Sequence, residues 1–312
     1  MVDFKLSFTR ARRPAGWNSI IACLVSVFCA AFVVNAQESK PTGLPTKPVA
    51  VPAKPNGVPQ TARSEGSPTV TAGVEEVPTP PINPEHPLYL PLQEAYKARE
   101  AIKDVKDYEA EFTKRELIGR ALKKTTMSLK IRREPFSVYL KFLDANKGRE
   151  VIYVEGRNKN LLQVHETGFR AIVGTLSLSP TSTDAMTDNR YPVTAIGLHS
   201  LLDKVIKQWE AEGKFGEIKT QKYPEAKLPT GEECIAYEAL HPVQKNQFKF
   251  HITRLWIHKE TGIAIRVEQL GFPQRAGETP QIIEEYTYSK LKTNVSLTER
   301  DFDIKNPAYA FP

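Results

Sequence analysis

The chain has 312 residues and a formal net charge of +7, with 24 prolines and three cysteines. Residues 92–312 carry only about +5, too little for a surface that tracks nucleic-acid phosphates, so no nucleic-acid partner is expected. Cys23 and Cys29 lie in the N-terminal apolar run, which leaves Cys234 alone beyond it. An intramolecular disulfide framework is therefore excluded there, and Cys234 reads as a small buried apolar residue.

Arg10, Arg12 and Arg13 precede the apolar stretch Ile20–Val34, which ends in Val34-Asn35-Ala36. A basic start, a short apolar middle and a small-residue end predict a secretory signal peptide over 1–36. At about 22 Å as a helix, the run is short for a hydrocarbon core of about 30 Å. The alternative is an uncleaved Ile20–Val34 segment that tethers the protein to a membrane. Residues 37–91 hold about half of the prolines and almost no aromatics before Tyr89. Such a stretch buries too little apolar surface to offset its ordering entropy, and it reads as a disordered tether.

Residues 92–312 read as one globular domain. Leu92–Val105 lacks glycine and proline, and Leu92, Ala95, Tyr96, Ile102 and Val105 fall near one helical face. The period then changes to two. Tyr108, Ala110 and Phe112 alternate with polar residues, as do Met127, Leu129 and Ile131, and then Phe136, Val138, Leu140 and Phe142. Strands over 150–154 and 161–165 continue the series, with turns at Gly119, Gly148 and Gly156. Residues 174–194 read as a long polar loop. Leu198, Leu201, Leu202, Val205, Ile206 and Trp209 predict a second helix, started by Thr194 and closed by Gly213. Strands resume over 215–221, 232–240, 249–258, 263–271 and 281–291, with a hairpin turn at Thr261-Gly262. This order predicts an α+β fold: one large curved antiparallel sheet, a half-barrel with helices against its concave face.

Two stretches resemble known families. SLKIRREPFSVYLKF (128–142) and EVIYVEGRNKNLLQVHE (150–166) are similar to the opening of the LolA-like periplasmic lipoprotein carriers. The closing EEYTYSKLKTNVSLTERDFDIKNPAYAFP (284–312) resembles the end of the bacterial family called domain of unknown function 1571. The resemblance spans about 92–312. It implies a half-barrel that binds acyl chains or lipidated partners, at fold level and without motif-bound ligand residues.

The residues themselves offer no catalytic centre. No P-loop, G-x-G-x-x-G, G-x-S-x-G or H-E-x-x-H spacing occurs. Glu232-Glu233 and Glu284-Glu285 are strand neighbours that point to opposite faces. No enzyme activity, metal or cofactor is expected. The expected function is an exported envelope or periplasmic binding protein with an apolar groove for a lipid, acyl chain or lipidated partner. Phe112, Leu129, Val138, Leu140 and Trp256 are the candidate groove residues. Lys130, Arg132 and Arg133 are the candidate headgroup site. A membrane surface counts among the candidate partners, and the sequence leaves the oligomeric state open. The alternative is a structural or adaptor module of the envelope without a ligand cavity.

Overall fold

The computed structural model describes residues 79–312, apart from Ala276 and the side chain of Arg170. The expected signal peptide over 1–36 and most of the expected tether over 37–91 lie outside the described residues. The packed chain begins before residue 92, however. Leu88 is fully buried and Ile82 packs against the core. The first helix, α1, runs Tyr89–Ala101, three residues ahead of the sequence expectation. All five residues expected on its inner face, including Ile102 and Val105 just past its end, are buried.

Eleven strands form one antiparallel sheet: β1 (Asp107–Ile118), β2 (Ala121–Arg132), β3 (Ser137–Phe142), β4 (Glu150–Val154), β5 (Leu162–His165), β6 (Thr175–Leu178), β7 (Lys219–Lys227), β8 (Glu233–Leu240), β9 (Ile252–His258), β10 (Ala264–Leu270) and β11 (Ile282–Thr293). Their spatial order is β6-β5-β4-β3-β2-β1-β11-β10-β9-β8-β7. Two meanders, β1–β6 and β7–β11, are thus joined by the pairing of two twelve-residue strands, β1 with β11. The fold is α+β, an open curved sheet as the alternation predicts. Strand β6 is the element the polar composition of 174–194 concealed. It is a short edge strand, where partly exposed polar residues are tolerated. The strand expected over 215–221 begins later, at Lys219.

Register assigns the faces. The chain of opposed pairs Phe112–Met127, Met127–Phe142, Leu129–Leu140, Leu140–Val151, Val151–Val164 and Val164–Leu176 places all these side chains on the concave side. In the other meander, Tyr237, Leu255, Val267 and Tyr286 share that side. A one-turn helix, α2 (Thr183–Met186), precedes helix α3 (Leu198–Glu212), which lies here. Its Gln208 side chain donates to Thr253 (3.0 Å) and accepts from Gln269 (2.7 Å). Helix α1 packs on α3 and on β10, and the Tyr96 hydroxyl donates to Glu210 of α3. Burial and that carboxylate push the Tyr96 phenol up to about 12.

Helix α3 starts differently from the expectation. Thr194 sits in the preceding turn, Val193–Ala195, and the N-cap is Gly197 at φ 121°. The Gly197 N–H donates to the Tyr288 hydroxyl (3.0 Å), and the Leu198 N–H donates to the Tyr108 hydroxyl (2.9 Å). Two tyrosines from the sheet's central strands thereby satisfy N–H groups that a local Ser or Asp usually serves. A Cβ at Gly197 would sit 3.1 Å from the Tyr108 oxygen, so both the dihedral and the space call for glycine. Gly213 closes the helix as expected.

The C-terminal segment crosses the opposite face of β2–β4. Phe302 and Phe311 pack with Tyr139, Ile152 and Val154 into a separate small core. Tyr309 stacks on Tyr139 with centroids 4.0 Å apart. The Asp107 carboxylate receives the N–H groups of Ser296 and Leu297, each at 3.1 Å, and fixes where this segment departs.

Candidate functional site

A cavity of about 980 Å³ opens between the concave face of β1–β6, helix α3 and the strap 179–197. That is the upper end of the range for small-molecule sites, about 300–1,000 Å³. Its two ends differ in chemistry. Met127, Leu140, Val151, Leu162, Val164 and Leu176 form an apolar wall toward the β6 edge. Alternation of period two on five successive strands turns every one of them inward.

The other end is polar and tied down. The Lys114 ammonium donates to Glu116 (2.6 Å) and to the Asp188 carbonyl (3.1 Å). The Glu284 carboxylate accepts from Arg190 Nε (2.7 Å) and from the Tyr191 hydroxyl (3.0 Å). The Tyr286 hydroxyl donates to Glu116 (2.6 Å). Burial, then Glu284 and Glu116, push the Tyr286 phenol far above its ordinary range, so it stays protonated and serves as a donor. Lys114, through the Asp188 carbonyl, and Glu284, through Arg190 and Tyr191, latch the strap to β1 and β11. Lys114, Glu116 and Glu284 are each more than nine-tenths buried. Such charges are tolerated there because each is paired and hydrogen-bonded.

The expected groove residues separate into three groups. Phe112 and Leu140 line the cavity. Leu129 and Val138 share the concave face but are wholly buried and do not border the open space. The strap descends on this part of the floor, with Gly197 against Ile131. Trp256 is a correction. It lies opposite Ala236 and Arg266, on the face turned away from the cavity, while its neighbour Leu255 points inward. The Arg266 guanidinium sits 4.8 Å from the Trp256 ring centroid.

The basic run is also displaced from the site. Lys130 and Arg132 point to the opposite face of β2, where Lys130 pairs with Asp301 (2.7 Å) and Arg132 with Glu299 (2.7 Å). Arg133 donates to the Lys103 carbonyl (2.7 Å). Lys130 and Arg132 hold the C-terminal segment and Arg133 holds the turn after α1, and none of the three borders the cavity. The residues that sequence reading missed are Lys114, Glu116, Arg190, Tyr191, Glu284 and the rim lysines Lys204, Lys207 and Lys249. Lys114 and Glu116 continue the inward alternation of Tyr108, Ala110 and Phe112. A charged residue at a core-facing strand position is the signal that marks them.

Cys234 is fully buried, and burial followed by Glu232 pushes its thiol up to about 12. A thiol held protonated is a poor nucleophile. Among the described residues no group of three His, Cys, Asp or Glu side chains is placed to hold a metal ion. Also among the described residues, no helix is long and apolar enough to cross a membrane. Beside the cavity, the turn Gly168–Val173 presents Phe169, Ile172 and Val173 to solvent at 93%, 82% and 66% exposure.

Sheet, strap and cavity together define an α+β domain whose concave face is part filled by helices and part open. Residues 105–311 match the family described as protein of unknown function (DUF1571), and the chain belongs to that family. No curated protein matches it. Among solved structures it is similar to the lipoprotein LppX of Mycobacterium tuberculosis, at 14% identity over 68% of this chain and 97% of that one, with a TM-score of 0.39. It is also similar to a putative outer membrane lipoprotein-sorting protein domain from Vibrio parahaemolyticus, at 11% identity over 68% and 95% (TM-score 0.32). A LolA superfamily protein from Nitrosomonas europaea matches at 12% identity over 67% and 96% (TM-score 0.28). At such scores the likenesses decide neither fold nor ligand, and the fold rests on the strand order above.

Proposed function

We propose that this protein is an exported, non-enzymatic binding protein of the cell envelope, and that its cavity takes the acyl chain of a lipid or of a lipidated partner. The observation that carries the reading is the 980 Å³ cavity with its continuous apolar wall on β2–β6. Apolar side chains left facing an open space lose both dispersion contacts and hydrophobic burial, and a matching chain restores them. The order of basic, apolar and small residues in 1–36 supports export. The exposed apolar turn Gly168–Val173 adjoins the cavity-lining Glu166 and Thr167, and supports approach to a membrane surface. An adaptor module without a ligand has no need of such a cavity.

The test is native mass spectrometry of the full chain from a bacterial host, followed by organic extraction and by titration with fatty acids and phospholipids. A bound acyl species, lost in Leu176→Trp while the circular dichroism spectrum is kept, is the expected result. Leu176 is half-buried at the edge strand, so a larger ring there fills the cavity without entering the packed core. A ligand-free mass with no uptake of any added lipid would return the protein to the adaptor reading.

A further inference from the structure

Three lysines stand on the rim of the cavity with no carboxylate of their own. Lys204 and Lys207 are three residues apart on α3 and so share a face, and Lys249 comes from the segment ahead of β9. All three line the cavity and all three are exposed. Among the described residues no carboxylate is in ion-pair contact with any of them. The anions that act on Lys204 are Glu284 and Glu116, and both are already engaged. Glu284 is held by Arg190 and Tyr191, and Glu116 by Lys114 and Tyr286. The Lys204 ammonium rests instead over the Tyr191 ring, 3.9 Å from its centroid, and that of Lys249 lies 4.9 Å from the Phe250 centroid. Desolvation brings Lys204 below the ordinary lysine range; Glu284 opposes this and Lys249 adds to it.

The charge balance of the polar end is therefore uneven. Lys114 offsets Glu116, Arg190 offsets Glu284, Arg149 offsets Glu166 and Lys123 offsets Asp188; against the three rim lysines only Asp184 remains among the lining carboxylates, which leaves the lysines in surplus. Like charges gathered around one opening repel, and an anion placed among them relieves that repulsion. The aromatic faces beneath two of the ammonium groups hold them at the rim while satisfying no N–H donor fully, so those donors are open to a ligand. The apolar wall lies toward β6, away from α3. A ligand that satisfies both ends has a chain and an anionic terminus.

We propose that Lys204, Lys207 and Lys249 form a headgroup subsite, so that the ligand is an acyl chain ending in a carboxylate or a phosphate. This rests on the binding reading above and adds the sign, the place and the orientation of the head. Lysine suits both anions, because it acts as a point charge with rotatable donors and demands no planar partner. The subsite takes the role that the sequence pattern suggests for Lys130, Arg132 and Arg133, which are engaged by the C-terminal segment and by the Lys103 carbonyl instead.

The experiment measures affinities of the full chain for two matched ligand pairs: palmitic acid against palmityl alcohol, and palmitoyl lysophosphatidylglycerol against palmitoyl lysophosphatidylcholine. Each is repeated with K204Q/K249Q and with K159Q, an exposed lysine outside the cavity, as control. The expected result is that the anion of a pair binds about tenfold or more tightly than its partner, that K204Q/K249Q removes this preference, and that K159Q keeps it. Preference in the first pair alone assigns a carboxylate, in the second alone a phosphate diester that carries no cation of its own, and in both any anionic head. Equal affinities within both pairs, or a preference that survives K204Q/K249Q, would overturn the subsite while leaving acyl binding intact. No uptake of any of the four would overturn the binding reading itself. Both substituted lysines are exposed, so the double variant is expected to fold, and its circular dichroism spectrum checks this.

Discussion

The two meanders of the sheet use the same alternation to opposite ends. On β7–β11 the inward side chains meet α1 and α3, and the space is filled: Trp209, Leu202, Leu255 and Ala239 are all fully buried. On β2–β6 the inward side chains are as apolar, yet part of what lies over them is open volume. Binary patterning sets which side of a strand faces in, but not whether anything is there to meet it. The difference comes from a third element, the strap 179–197. It leaves β6, is latched to β1 and β11 by Lys114 and Glu284, and only then starts α3 at Gly197. The latch keeps strap and helix over the middle of the sheet instead of over its β6 edge.

The sharpest way to break this comparison is to remove equal bulk from each side. Leu202→Ala in the filled half is expected to cost about 2.7–5 kcal/mol, the transfer term plus a new cavity. Leu162→Ala in the open half is expected to cost less than about 2 kcal/mol, because one side of Leu162 already faces empty space and few contacts are lost. Urea denaturation of the two variants measures both. Equal costs would mean that the β2–β6 half is packed as tightly as the other.

Next in size is the joint between the halves. Tyr288→Phe deletes the hydroxyl that receives the Gly197 N–H, leaving a buried donor unpaired at the start of α3. A loss of about 1–3 kcal/mol is expected. Hydrogen exchange at Gly197 in this variant, compared with Tyr108→Phe at Leu198, separates the two caps. A hydroxyl that matters only for packing would leave exchange at Gly197 unchanged.

These tests also mark how far the sequence alone reaches. Alternation in β1–β5, the stripe on α3 and the turns at Gly119 and Gly262 are local patterns. They place the strands and the buried face within a few residues. Pairing of β1 with β11 is not local, since the partners lie some 180 residues apart, as Phe112 and Tyr288 do. Everything that depends on that pairing was hidden: the tyrosine caps, the latch of the strap to Lys114 and Glu284, and the site itself. The basic run at 130–133 misled because charge on a strand does not say which face a distant segment will cover. Trp256 misled because size was weighed over parity; Leu255, one residue earlier, carries the inward position.

A smaller effect belongs to the far face of the open half, where the C-terminal segment clasps β2–β4. Burial opposes the charge on Asp301, but its hydrogen bonds from Lys130 and Thr298 hold the carboxyl below its ordinary value. Lys130 is shifted the other way: burial again opposes its charge, while Asp301 raises it. The sign follows from linkage. A lowered carboxyl contributes stability above the unfolded Asp value, about 3.9, and loses it as pH falls through the folded value. A raised lysine contributes below its unfolded value, about 10.4, and loses it as pH rises through the folded one. The clasp is therefore expected to be strongest between those limits and worth about 1 kcal/mol, given that both side chains are partly exposed. Asp301→Asn should flatten the acid limb of the stability profile. An unchanged limb would assign it to other carboxylates.

The smallest effect on stability is expected where the functional one is clear. Phe169 and Ile172 are almost wholly exposed, so replacing both by serine removes little buried area and should change the unfolding free energy by less than about 0.5 kcal/mol. If the turn Gly168–Val173 exists to meet a membrane beside the cavity, the same variant should lose association with lipid vesicles in a flotation assay, while its affinity for a soluble short-chain ligand stays as before. The two readouts divide the roles of the open half. Its inner wall governs what is held, and its edge turn governs where the protein meets the source. Vesicle association that survives the double serine variant would leave the turn without that role, and the cavity would then have to be loaded from solution.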